Sequence, residues 1–185
     1  MSQLCYRLIL SHMTQSIINN LQLRYHPHSI LRQKASPFDE FELAPALYQA
    51  MLEIMYRGPG VGLAANQVGL LLRIFVMDCS DDRSTPIFLA NPVILEKQGP
   101  LHKITEGCLS LPGVYQSVTR PSRILVEYHD ELGSLQQKTF EGLESSCVQH
   151  EIDHLDGILF PDRVSNISDR NRLWKKYRAP SNWSL

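Results

Sequence analysis

The segment His150-Glu151-Ile152-Asp153-His154 places two imidazoles four residues apart, with a carboxylate directly after the first. It restricts the fold more than any other part of the chain. Only an α-helix makes that spacing useful to one ion, because residues four apart lie about one turn, roughly 5 to 6 Å, from each other on one face. The flanking residues agree: Leu143, Val148, Ile152 and Leu155 are apolar at helical spacing, and Gly157 is placed to end the run. The pattern therefore predicts a helix over Leu143 to Leu155 with both histidines on it. Glu151 falls on the flank of the same face, outside the ligand set, where it suits a general base acting on a water activated by the ion. Two solvated histidines brought together by chance are the competing reading.

A catalytic ion of this type takes three protein ligands and leaves a fourth position open. One large group of zinc peptidases extends the pattern to H-E-x-x-H-x-x-G-x-x-H. Gly157 fits that extension, but Phe160 stands where the third histidine would be. A second group takes a glutamate farther along, and no glutamate follows Glu151. Cys147 precedes His150 by three residues but lies two turns, about 10 Å, from His154 along the axis. Metal-ligand bonds near 2.0 to 2.3 Å do not bridge that gap, so Cys147 reads as a small packing residue beside the site. The third ligand is then sought upstream, where Cys108 in Glu106-Gly107-Cys108-Leu109-Ser110-Leu111-Pro112 is best placed. Glycine before it and proline after it predict an irregular, exposed turn. A cysteine packed in a strand is an equal account, and Cys79, after a strand and before a polar loop, ranks lower.

The remaining chain supplies a frame for that helix. Glu42 to Arg57 has apolar residues at Leu43, Leu47, Met51, Ile54 and Met55 before Gly58-Pro59-Gly60, a second helix. Arg73 to Met77, Ile87 to Leu95 and Arg123 to Tyr128 are rich in β-branched and aromatic residues, and Leu135 to Phe140 can pair back across a turn at Asp130 to Ser134. These elements predict one α+β domain, and 185 residues are enough for a core of its own. Eighteen basic and nineteen acidic residues leave a formal charge of −1, which gives no reason to expect specific nucleic-acid or membrane binding. The early apolar run at Leu8 to Leu10 is too short for a membrane span. Cys5, Cys79, Cys108 and Cys147 are too few and scattered for a disulfide framework, so a reducing cytoplasm is expected.

Three segments together resemble the peptide deformylases. Gly60-Val61-Gly62-Leu63-Ala64-Ala65-Asn66-Gln67 is similar to that family's first motif, Glu106 to Ser110 to its second and Gln149 to His154 to its third. Their order and spacing also agree, and a weaker likeness at Pro27 to Pro37 extends the match from about Leu21 to Phe160. The resemblance implies antiparallel β-sheets around a central helix carrying the H-E-x-D-H residues. It implies one divalent metal on Cys108, His150 and His154: ferrous iron in the cell, with zinc, nickel or cobalt able to occupy the site. The ligand set alone would suggest zinc. It implies hydrolysis of the N-formyl group of N-formyl-methionyl nascent peptides, with Glu151 moving the proton. Gln67 and the backbone N–H of Leu109 would then receive the developing oxyanion. Gly62 would pair with the substrate backbone, where a side chain would obstruct. The methionine side chain would lie against Leu143 and Cys147 with Val61 nearby, a place where core packing is an equal account.

Some features lie outside that likeness. Asp153 is expected either to anchor its helix through Arg120 or Arg123 or to be a solvated carboxylate. Tyr115 stands where some bacterial members carry an arginine that meets the peptide. Residues 1–20 read as an N-terminal extension, either from a start upstream of Met13 or as a transit segment, since no acidic residue precedes Asp39. Residues 21–167 read as the catalytic domain and residues 168–185 as a basic tail with a helical stretch. In that tail Arg170, Arg172, Lys175, Lys176 and Arg178 surround Trp174 and Tyr177. A solvated helix is its plain reading, and docking on the ribosome is the functional one.

Overall fold

The computed structural model describes residues 15–176. The alternative starts at Met1 and Met13, and Tyr177 and Arg178 of the tail, lie outside them. Helix α1 spans Ala44–Arg57, with Pro45 in its first turn, where the missing N–H costs nothing. It buries Leu47, Met51 and Met55 along one stripe. Five strands follow in chain order: β1 Gly62–Ala64, β2 Ile74–Met77, β3 Ile87–Cys108, β4 Leu111–His129 and β5 Leu135–Glu141. Each pairs antiparallel with the next, in the order β1-β2-β3-β4-β5. They form one continuous sheet. Helix α2 then spans Gly142–Leu155, and helix α3 spans Ile167–Lys176.

The sheet is covered on both faces where it is most apolar. Ile74 and Val76 join Leu63, Phe88 and Ala90 in the core beneath α1. Their neighbours Phe75 and Met77 join Ala64, Leu89, Ile124, Val126 and Phe140 in the core that receives Val148, Ile152 and Leu155 of α2. Alternation of side chains across a strand dictates this division. It explains why Ile74–Met77 is continuously apolar: all four residues are buried.

Two strands run far beyond the apolar stretches that announced them. Ile87 to Leu95 grows to Cys108, and Arg123 to Tyr128 starts already at Leu111. The added segments have a wet face, with Lys97, Lys103 and Thr105 exposed, so their composition is polar. Gly99-Pro100 sits in a bulge between Gln98 and Leu101, with Gly99 at φ +70. The β3-β4 hairpin reverses at Leu109-Ser110, and the exposed turn expected there is corrected: Ser110 and Leu111 are buried.

Helix α2 ends as its sequence predicts. Gly157, at φ +73, donates its N–H to His154 O at 3.0 Å, and Ile158 donates to Asp153 O at 2.8 Å. Helix α3 is not simply solvated, because Trp174 packs against His26 with ring centroids 4.8 Å apart and under the Arg32 guanidinium at 5.0 Å.

Candidate active site

Helix α2 sets His150 and His154 one turn apart, with ring centroids separated by 4.9 Å. The end of β3 brings Cys108 to them. The ligand atoms of Cys108, His150 and His154 all lie within 4.8 Å of one another, and Cys108 Sγ is 3.2 Å from His154 Nε2. One thiolate and two imidazoles converging on one point suit a single divalent ion. Cys147 lies apart from this group. Its Sγ contacts Val61 O at 3.5 Å, and a hydrogen bond with Cys79, then burial, holds its thiol well above the usual range. Cys79 and Cys147 are thus neighbours.

His150 is fixed by a chain of charges. Its Nδ1 meets Glu106 Oε2 at 2.8 Å, leaving Nε2 for the ligand cluster. Arg120 grips both Glu106 oxygens, one through Nη2 at 3.0 Å, and reaches Asp153 Oδ2 at 2.9 Å through Nη1. Arg163 closes the other side of Asp153, with Nε 3.0 Å from Oδ2. Burial pushes the Glu106 carboxyl up, but the bonds to His150 and Arg120 outweigh it and hold the pKa at about 2. Of the two cations proposed for Asp153, Arg120 is the one it meets. Arg123 pairs with Glu141 at the surface instead. The role of Glu106 toward His150 escapes a motif reading, although it precedes Cys108 by two and therefore shares its strand face. Arg163 gives no such signal.

Glu151 is differently placed. It is 3% exposed, its Oε2 has no hydrogen-bond partner among the described residues, and burial raises its pKa to about 7. A buried carboxyl oxygen left without a partner is unfavourable unless it serves the site it faces. Gly62 leaves room for it: a methyl built there would lie 2.3 Å from Glu151 Oε1 and 2.8 Å from Cys147 Sγ. A side chain at Gly62 would therefore strike Glu151 and Cys147 of α2.

The amide of Gln67 has one orientation. Its Oε1 accepts from Ala64 N at 2.8 Å, so Nε2 faces the cluster, 3.1 Å from Ser110 Oγ and 3.4 Å from Cys108 Sγ. Asp78 N donates to Val61 O at 2.8 Å. In an antiparallel pair, bonded and non-bonded positions alternate, so the N–H and C=O of Gly62 point away from β2. Among the described residues β1 pairs only with β2, and that edge is open. Beside it runs a cleft of about 330 Å³, where Val61, Leu143, Cys147, Gln67, Leu109, His150 and Glu151 all contribute lining atoms. Tyr115 stands at its rim, 65% exposed and paired across the hairpin with Gly107.

The chain is similar in sequence and fold to known proteins. Residues 20–170 match the family model described as Polypeptide deformylase. A relative from Nitrosococcus oceani, named peptide deformylase, is 41% identical over 157 residues, which cover 84% of this chain and 93% of the relative. The crystal structure of a peptide deformylase from Synechococcus elongatus in complex with actinonin aligns with a TM-score of 0.78 at 42% identity, over 84% of this chain and 86% of that one. The peptide deformylase from Thermus thermophilus aligns with a TM-score of 0.78 at 43% identity, over 84% and 91% of the two chains.

Proposed function

The chain belongs to the polypeptide deformylase family, and from that premise we propose that Cys108, His150 and His154 hold its one metal ion while Glu151, Gln67 and Leu109 carry the reaction. That reaction removes the N-formyl group from the N-terminal formyl-methionine of nascent polypeptides and releases formate. The observation that carries the residue assignment is Glu151, a buried carboxyl group with an unpartnered oxygen beside three convergent ligand atoms.

Held by Cys108, His150 and His154, the ion would supply Lewis acidity that polarises the formyl carbonyl and makes water easier to deprotonate into a nucleophile. The work of the chain is binding, orientation and proton movement. Gly62 offers its outward N–H and C=O to the peptide backbone, as an added strand would require. Val61, Leu143 and Cys147 receive the methionine side chain in the apolar part of the cleft. Glu151, with its pKa raised to about 7, takes a proton from the attacking water and returns it to the departing amine. Gln67 Nε2 and the N–H of Leu109 hold the charge that develops on the formyl oxygen. Glu106 and Arg120 keep His150 in the tautomer that ligation needs.

Ferrous iron is the proposed cellular metal, with zinc, nickel and cobalt compatible with the same donors. Work in a reducing cytoplasm accords with a thiolate ligand. No helix among the described residues is long and apolar enough to cross a membrane. The catalytic unit is proposed to span residues 21–167, with residues 1–20 an extension. Residues 168–185 form a tail that would touch the ribosome, on the side of α3 where Arg172 and Lys175 are exposed. The assay that tests the function is formate release from formyl-Met-Ala, run beside an unformylated peptide.

A further inference from the structure

Leu109 occupies a slot made by two glycines. A methyl built on Gly58 would lie 2.7 Å from Leu109 Cδ2, with the next atom, Met55 O, 3.8 Å away. One built on Gly60 would lie 2.7 Å from Leu109 Cδ1 and 3.1 Å from its Cγ. Gly58 has φ −107, and neither glycine is among those with positive φ. The backbone does not require glycine at these positions, and a methyl at either one would have to displace the end of the Leu109 side chain.

The slot is itself held in place. Arg83 Nη1 donates to Tyr56 O at 3.0 Å and Nη2 to Gly58 O at 3.3 Å, with the guanidinium 5.1 Å above the Tyr56 ring. The Tyr56 hydroxyl donates to the buried Asp78 carboxylate. Leu109 is one of only two residues that reverse the chain between β3 and β4. A side chain gripped at so tight a reversal limits the directions its own N–H can take.

We propose that Gly58 is a positioning residue for deformylation: with Gly60 it grips the Leu109 side chain and thereby aims the Leu109 N–H at the formyl oxygen. The inference rests on the oxyanion role proposed above for that N–H. Gly58 does not line the cleft, and the first atom that an alanine there would meet is Leu109 Cδ2.

The test is a double-mutant cycle on metal-loaded protein with formyl-Met-Ala. Removal of an oxyanion donor costs about 10²- to 10³-fold in kcat, so misaiming one in Gly58→Ala should cost roughly tenfold, with metal content and KM held near wild type. Leu109→Ala keeps the N–H but removes the gripped side chain, and should also lose roughly tenfold in kcat. Adding Gly58→Ala to Leu109→Ala should change kcat by less than about twofold, because the slot is then empty. Arg83→Ala should lower kcat in the same direction. Wild-type kcat in Gly58→Ala, equal losses in both backgrounds, or a loss carried by KM would overturn the slot while leaving the deformylase reading intact. If Gly58→Ala does not fold, an unchanged kcat in Leu109→Ala has the same force. Absence of formate from the wild type would overturn both.

Discussion

Glu151 is a carboxyl group that the fold buries and leaves half satisfied. Such a group costs stability unless it is neutralised or partnered, so Glu151→Gln is expected to fold at least as stably as the wild type. The variant should keep its metal yet lose about 10²- to 10⁴-fold in turnover, the usual range for removing a general base. Metal loss in step with the turnover loss would make Glu151 structural. The ligands should behave in the opposite way: Cys108→Ala, His150→Ala and His154→Ala are expected to lose bound metal, whereas Cys147→Ser and Cys79→Ser retain it. Stoichiometric metal in Cys108→Ala would remove Cys108 from the ligand set. The two histidines and Glu151 were legible because their helical spacing is local. Cys108 could be reached only through elimination and family likeness, and the links from His150 through Glu106 and Arg120 to Asp153 join residues up to 44 positions apart.

At the scale of elements, both main helices and the strands over Ile74–Met77 and Leu135–Glu141 were readable, whereas the short β1 and the outer halves of β3 and β4 were not. Ile74–Met77 announces itself because both of its faces are covered. The outer halves of β3 and β4 expose one face and contain Gly99, Pro100, Pro112 and Gly113, which look like breaks yet lie inside paired strands. The end of α2 was fully legible, and it gives a stability prediction. Gly157 sits at φ +73, and a methyl there would lie 2.6 Å from the backbone oxygen of Arg32, which cannot swing aside as a side chain would. Gly157→Ala should therefore lose more than the roughly 1 to 2 kcal/mol that a left-handed backbone alone costs a residue with a Cβ. Thermal or denaturant unfolding reads the loss directly, and a wild-type midpoint would contradict the cap.

For the molecule as a whole, the near-neutral charge hides a local asymmetry. Trp174 fastens α3 to His26 and Arg32, which turns Arg172 and Lys175 outward. If that surface meets the ribosome, the combined Arg172→Glu and Lys175→Glu protein should hydrolyse a short formyl peptide at the wild-type rate. Its salt-sensitive co-sedimentation with ribosomes should weaken. Equal co-sedimentation would remove the proposed contact. The domain's architecture followed from its pattern of strands and helices, whereas the reaction followed from a handful of residues that the architecture brings together. One measurement tests the metal-dependent deformylation most directly: formate released from formyl-Met-Ala by anaerobically purified protein, with bound metal quantified on the same sample. One metal per chain and steady formate release, both abolished by a chelator and restored by added metal, is the predicted result. Hydrolysis that continues after complete metal removal, or cleavage of an internal peptide bond with no formate, would contradict it.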